Sequence, residues 1–277
     1  MEANMQEAAN PKSPKSPKSP NSPSNTAQIA SLREALLGSN RVVFFGGAGV
    51  STESGIPDFR GQDGLYRQKY DYPPEVMLSH SFFQEHPAEF FRFHRDKIIL
   101  PTLAARPNAA HTALAQLEKE GHLTAVVTQN IDGLHQAAGS RTVHELHGSI
   151  HRNYCQRCKA SYDAEALLAL LEVNGAAGVP RCAKPGCGGM VKPDVVLYEE
   201  PLDSRVLEAA ITAIASADVF IIGGTSLVVN PAASLVRYFT GKTLVIINRG
   251  ETWSDTKANL LFRENIGEVL SETVLLG

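Results

Sequence analysis

Residues 41 to 51 read Arg41-Val42-Val43-Phe44-Phe45-Gly46-Gly47-Ala48-Gly49-Val50-Ser51, a strongly apolar run that passes straight into glycines. So short a run cannot make a helix that buries a face, and it predicts a buried β-strand ending in a tight turn. Similar runs recur at Ala125-Val126-Val127-Thr128, Val219-Phe220-Ile221-Ile222 and Thr243-Leu244-Val245-Ile246-Ile247. Helical spacing is clearest from Ile29 to Leu37, stopped by Gly38-Ser39-Asn40, then from His111 to Glu120 and from Leu207 to Ala215. Short apolar strands alternating with helices predict an α/β fold with a doubly wound, Rossmann-like parallel sheet covered on both faces.

The turn Gly46-Gly47-Ala48-Gly49-Val50-Ser51 suits a nucleotide site. Glycines let a backbone approach a pyrophosphate, and amides at a helix start hold its charge. The stretch lacks the third glycine of the G-x-G-x-x-G fingerprint, and no acidic residue closes a second strand to take the adenosine ribose. Read alone, a glycine turn with no ligand remains an alternative.

With 277 residues, 43% hydrophobic and 20% charged, the composition fits a globular chain and excludes a collagen-like or wholly disordered one. No apolar run approaches the roughly 20 residues that cross a bilayer, and no apolar h-region marks a signal peptide. The expectation is a cytoplasmic protein with no membrane partner. A net charge of −3 gives no general pull toward nucleic acid, and no specific nucleic-acid binding is expected. Residues 1–27 contain Pro11-Lys12-Ser13-Pro14-Lys15-Ser16-Pro17-Lys18-Ser19-Pro20, which offers no large apolar side chain and predicts a disordered tail. Its three lysines and two glutamates leave 23 basic and 27 acidic side chains in the remainder, a net −4.

Two stretches break the alternation. Residues 62–105 carry aromatic helical signals, Phe82-Phe83 and Phe90-Phe91-Arg92-Phe93, and residues 151–192 carry all four cysteines. Both read as insertions into a core of 28–61, 106–150 and 193–277, together making a smaller domain from a helical module and a zinc ribbon. Cys155-x-x-Cys158 and Cys182-x-x-x-x-Cys187 supply four thiolates. Four thiolates complete a tetrahedral zinc shell with no open position, which makes a structural site; disulfides or free thiols are the alternatives.

The glycine turn belongs to a longer motif, G-A-G-V-S-T-E-S-G-I-P-D-F-R-G from Gly47 to Gly61. There follow T-Q-N-I-D-G-L-H from Thr128 to His135, E-L-H-G from Glu145 to Gly148, Lys192-Pro193-Asp194-Val195-Val196, Gly224-Thr225-Ser226-Leu227-Val228-Val229 and Ile247-Asn248. In these motifs, in this order, the sequence from about Ile29 to the C-terminus resembles the sirtuin family of NAD-dependent protein deacylases. The resemblance implies NAD+ as co-substrate, bound without the usual fingerprint. Gly47, Ala48 and Gly49 would meet the pyrophosphate, with Thr52 close by, and Phe59 and Arg60 would sit on a loop that closes over the cofactor. Thr225 and Ser226 would hold phosphate or ribose oxygens, Asn248 the adenosine ribose, and Ile266 would contact adenine. Gln129, Asn130, Ile131 and Asp132 follow a strand, where polar side chains face a ligand crevice. Ile131 and Asp132 would form the nicotinamide pocket, and Asn130 would order a ribose or a water. Taken singly, Asp132, Thr52 and Ser226 could be helix caps and Phe59 a core residue.

By the same resemblance His147 is the general base that takes a proton from a ribose hydroxyl, a task imidazole suits because its pKa lies near neutrality. His144 and His151 do not match that position. The implied reaction has the acyl-lysine carbonyl oxygen attack the ribose carbon as nicotinamide leaves, giving an alkylamidate, and ends in free lysine and O-acyl-ADP-ribose. No enzyme nucleophile is needed, and the chain has no G-x-S-x-G elbow. Acylated lysine-bearing proteins are the implied partners. The family's zinc site also matches, although the second cysteine pair encloses four residues where two are commoner.

Val195, Val196 and Leu197 fall in the segment that would line the acyl-lysine channel, beside which a peptide adds as a strand. Tyr198-Glu199 stand where many relatives carry Phe-Gly. Members that prefer succinyl or malonyl lysine carry Tyr and Arg three residues apart, and Phe91 and His94 occupy those positions here. A carboxylate acyl group would then enter an apolar channel unpaired, which is costly. Acetyl or longer aliphatic groups are therefore expected. NAD hydrolysis or mono-ADP-ribosylation is a second enzymatic reading, and a non-catalytic module that binds NAD or acyl-lysine is a third.

Overall fold

The computed structural model describes residues 25–61, 64–173 and 178–275. The tail reading therefore falls, over residues 1–24, outside the described residues. In chain order the strands are β1 (Val42–Gly46), β2 (Leu123–Thr128), β3 (Val143–Glu145), β4 (Gly148–Cys155), β5 (Ser161–Tyr162), β6 (Val191–Val195), β7 (Val219–Gly223), β8 (Thr243–Ile247) and β9 (Leu260–Phe262). Six of them form an all-parallel sheet in the order β3-β2-β1-β7-β8-β9. Counted within the sheet this is 3-2-1-4-5-6, the Rossmann order, whose direction of winding reverses between β1 and β7.

The four predicted strands are the four central ones, and all five residues of β1 and of β7 are buried. The edge strands β3 and β9 have three residues each, too few to leave an apolar pattern. Helices Asn25–Leu37, Ala109–Lys119 and Ile266–Val274 cover one face, packing on Val42, Phe44, Val126 and Ile221. Helix Ser204–Ser216 and the turn Ala232–Tyr238 cover the other, on Val43, Phe45, Phe220 and Ile222. Local chemistry sets the helix starts. Asn108 Oδ1 accepts from the Ala110 and His111 N–H groups, and Asp203 Oδ1 accepts from Arg205 and Val206.

The remaining strands make an antiparallel sheet in the order β5-β4-β6. Beside it stand the helices His80–Glu85 and Pro87–His94, whose Phe82, Phe83, Phe90, Phe91 and Phe93 form one buried cluster with Ile150, Val195 and Leu197. Among the described residues no helix is long and apolar enough to cross a membrane.

Candidate active site

The first strand delivers its turn to the carboxyl edge of the sheet at the β1/β7 reversal, where open α/β sheets bind ligands. Glycine is required there for packing. A methyl group on Gly49 would lie 2.8 Å from the Gly224 Cα, and one on Gly47 would lie 2.8 Å from the Thr225 Cβ. The two turns are also tied by backbone bonds, Gly47 N–H to the Gly223 carbonyl (3.2 Å) and Gly49 N–H to the Gly224 carbonyl (2.8 Å).

These turns open onto a cavity of about 680 Å³, within the range of ligand pockets. Ala48, Gly49, Thr52, Phe59, Arg60, Gln129, Asn130, Ile131, Asp132, His147, Val195, Val196, Leu197, Thr225, Ser226, Asn248 and Ile266 all line it. Gly47 does not, because it is packed under Thr225. Residues at or just after the ends of β1, β2, β6, β7 and β8, with His147 after β3, are thus brought to one crevice, its polar groups set among apolar walls. That is a donor set fitted to a nucleotide carrying charged and aromatic parts.

At its centre the buried Ser51 hydroxyl donates to Asp132 Oδ2 (2.6 Å) and accepts from Asn130 Nδ2 (3.1 Å). Asp132 Oδ1 accepts from the Leu134 N–H (2.9 Å), so this carboxylate starts the following helix and faces the cavity as well. His151 supports the same segment from behind, its Nε2 donating to the Asp132 carbonyl (3.0 Å).

His147 Nδ1 is 2.9 Å from the Gln129 carbonyl oxygen. A carbonyl only accepts, so the ring proton is on Nδ1 and the Nε2 lone pair is free to take a proton. Burial lowers the His147 pKa, partly opposed by the Gln129 bond, which favours this neutral form. The backbone is equally constrained. Val196 N–H donates to the His147 carbonyl (3.0 Å), and Gly148 has φ 76° with no room for a side chain, since a methyl there would lie 1.9 Å from the Asp194 oxygen.

His94 lines the deep side of the cavity with 1% of its surface exposed. It stacks on Phe90, and neither ring nitrogen has a hydrogen-bond partner. Burial, helped by the positive charge of Lys192, pushes its pKa down to about 3, so the ring is neutral at physiological pH.

In the small module the four cysteines converge, with all Sγ atoms within 4.8 Å of one another. Cys155 and Cys187 are 3.6 Å apart, as are Cys158 and Cys182. A tetrahedron of sulfurs at the usual zinc–sulfur length has edges of about 3.8 Å, so the cluster fits one zinc ion and is too open for disulfides. Tyr162 donates to Cys182 Sγ (3.0 Å), and the four-residue loop of the second pair is accommodated without displacing either ligand.

Residues 47–231 match the model of the Sir2 family. This chain belongs to the Sir2 family. An NAD-dependent protein deacetylase of Clostridium acetobutylicum is 54% identical over 250 residues, 90% of this chain and 98% of that one. That of Cutibacterium acnes is 54% identical over 235 residues, covering 84% and 92%. Among solved structures, a Sir2 protein with a deacetylated p53 peptide and 3′-O-acetyl-ADP-ribose superposes with a TM-score of 0.80 at 40% identity, over 89% of this chain and 99% of that one. A Sir2 protein with a p53 peptide and NAD+ gives 0.77 at 41% identity, over 88% and 96%.

The sequence motifs mark Tyr198 as a departure in the substrate segment but single out neither Ser51 nor Tyr66. Ser51 ends the opening stretch, but its partner Asp132 is 81 residues away. No local pattern marks such a pair.

Proposed function

We propose that this Sir2-family chain is an NAD-dependent protein-lysine deacetylase that releases nicotinamide and transfers the acetyl group to ADP-ribose. The observation that carries this reading is the neutral His147, its Nε2 unblocked, in the same crevice as the Ser51-Asn130-Asp132 cluster. Bound NAD+ supplies a ribose carbon that becomes electrophilic as nicotinamide leaves. Asp132 has accepting capacity beyond its bonds to Ser51 and Leu134 and takes the carboxamide N–H. Ile131 and the apolar walls exclude water from the developing cation. Asn130, held by Ser51, orders the ribose, and His147 withdraws the hydroxyl proton at Nε2. Ala48, Gly49, Thr52, Thr225, Ser226, Asn248 and Ile266 hold the rest of the dinucleotide, under the loop of Phe59 and Arg60, while Gly47 acts by packing. Val195, Val196 and Leu197 line the acyl-lysine side, and the four cysteines hold a structural zinc.

We treat residues 28–277 as one catalytic domain, with 62–105 and 151–192 as its inserted parts. A cytoplasmic site suits four clustered cysteines that form no disulfide. The acyl range follows from His94 and Phe91. A neutral ring and a buried phenyl offer no charge to a carboxylate, so acetyl and longer aliphatic groups are preferred over succinyl.

Incubation with NAD+ and an acetylated peptide, with mass spectrometry of both products, is expected to show O-acetyl-ADP-ribose rising in step with free lysine. Free ADP-ribose formed without peptide would overturn this in favour of NAD hydrolysis. Acetyl, myristoyl and succinyl peptides compared at equal concentration test the acyl range, and dominant desuccinylation would refute it.

A further inference from the structure

We propose that Tyr198 is a positioning residue that fastens the loop Asp58-Phe59-Arg60 against the acyl-lysine segment, so that peptide and NAD+ strengthen each other's binding; this rests on the deacetylase reading above. The backbone of Tyr198 is held by the helical module. Its N–H donates to the Leu78 carbonyl (3.0 Å), and its carbonyl accepts from the His80 N–H (3.0 Å). Glu199 follows at φ 75°, a left-handed conformation that disfavours any residue with a side chain. Its carboxylate compensates by accepting from the Ser81 N–H (2.9 Å) and hydroxyl (3.0 Å). Glu200 then bonds His80 Nδ1 (2.8 Å), Lys192 Nζ (3.1 Å) and the Leu197 N–H (2.9 Å). Residues 197–200 form a braced platform directly after Val195 and Val196.

From that platform the Tyr198 phenol reaches across to the cofactor side. Its hydroxyl lies 2.8 Å from that of Tyr66, and Arg60 Nη2 donates to it at 3.5 Å, the outer limit of such a bond. A guanidinium only donates, so Tyr198 accepts from Arg60, and in the bond between the two phenols either hydroxyl can be the donor. Tyr66 carries the link onward. Its ring lies 5.1 Å from the Arg60 Cζ and edge-on to Phe59 at 5.6 Å, and its N–H donates to the Phe59 carbonyl (2.9 Å). Burial and the bond to Tyr198 push the Tyr66 pKa far up, so its phenol keeps its proton. Both sides of the contact line the same cavity. A ligand that orders either side lowers the ordering cost of the other, which is a coupling free energy between two sites.

Tyr198→Phe keeps the ring and removes the bond; Tyr66→Phe removes it from the other end. The measurement is the KM for NAD+ at saturating acetylated peptide, set beside the calorimetric Kd for NAD+ without peptide. Each variant is expected to raise the KM about fivefold, the factor one ordinary hydrogen bond supplies, with peptide-free Kd changing less than twofold and the loss concentrated in KM rather than kcat. The double variant is expected to be no worse than either single one. An unchanged KM, an equal rise in Kd and KM, or a double variant equal to the product of the singles would overturn the fastening role. A wild-type protein that releases no acetyl group would instead overturn the deacetylase reading itself.

Discussion

Strand β1 buries all five of its residues between two parallel neighbours and under helices on both faces, whereas the cysteine-bearing module buries Ile99, Leu167 and Val191 beside Cys155 and Cys182 and leaves Leu103, Ala160, Tyr162, Leu168 and Leu170 around them partly exposed. The first region has apolar area to spare and needs no cross-link. A core as small as the second does not offset the chain entropy of ordering it, and a metal joining four side chains from two loops supplies the difference. His147 lies at the junction, between β3 of the large sheet and the first residue of β4, Gly148, in the small one. Losing the module therefore reaches the chemistry.

The largest expected effect tests that dependence directly. Cys155→Ala should release zinc and reduce deacetylation at least 100-fold, with amide-exchange protection lost across β4 to β6 and retained in β1 and β7. A zinc-free variant that stays folded and active would break the comparison. Next, His147→Ala should lower turnover about 10²- to 10⁴-fold while both regions melt as before. The wild-type kcat/KM should keep its plateau to below pH 6.5, the ordinary histidine value, because burial lowers the His147 pKa; an acid limb above that value contradicts the assignment.

Acid sharpens the contrast further. His111 and His135 pack ring to ring at 4.7 Å behind Asp132, and burial pushes their pKa values down to about 4 and about 3. Below the unfolded value near 6.5 the unfolded chain binds protons that the folded chain refuses. Their contribution to stability is therefore full above about pH 6.5 and lost as pH falls toward the folded values, by of order 1 kcal/mol per histidine per pH unit. Metal binding by thiols is itself pH-dependent, so exchange must be followed by region. His135→Phe should flatten the pH slope of the large sheet, and an unaltered slope would show that this pair is not responsible. A smaller effect on catalysis than that of His147→Ala is expected from Ser51→Ala, about a tenfold loss in kcat/KM from one bond to a buried carboxylate, with both regions intact.

Much of this was legible from short runs. The central strands betray themselves because a strand buried on both faces has to be apolar throughout, and β1, β2, β7 and β8 stand where their runs predict. β3 and β9, at three residues each, fall below any periodic signal. The cysteine spacings pointed to one cluster, and the four thiols do converge, each within 4.8 Å of the others. The motif places Gly47 against a cofactor, whereas in the fold its lack of a side chain serves the contact with Thr225. Both uses demand glycine, and only the packing tells them apart.

By itself the sequence determined the fold class, the cysteine set and the residues around the crevice, since each rests on local pattern or on motifs kept in order along the chain. Tertiary structure alone decided that Ser51 meets Asp132, that the His147 proton sits on Nδ1 against the Gln129 carbonyl, and that Tyr198 meets Tyr66. Those facts depend on distances of a few tenths of an ångström between residues up to 132 positions apart. Hydrogen bonds are short and directional, so they record the arrangement of the whole chain and leave no trace in any one stretch of it.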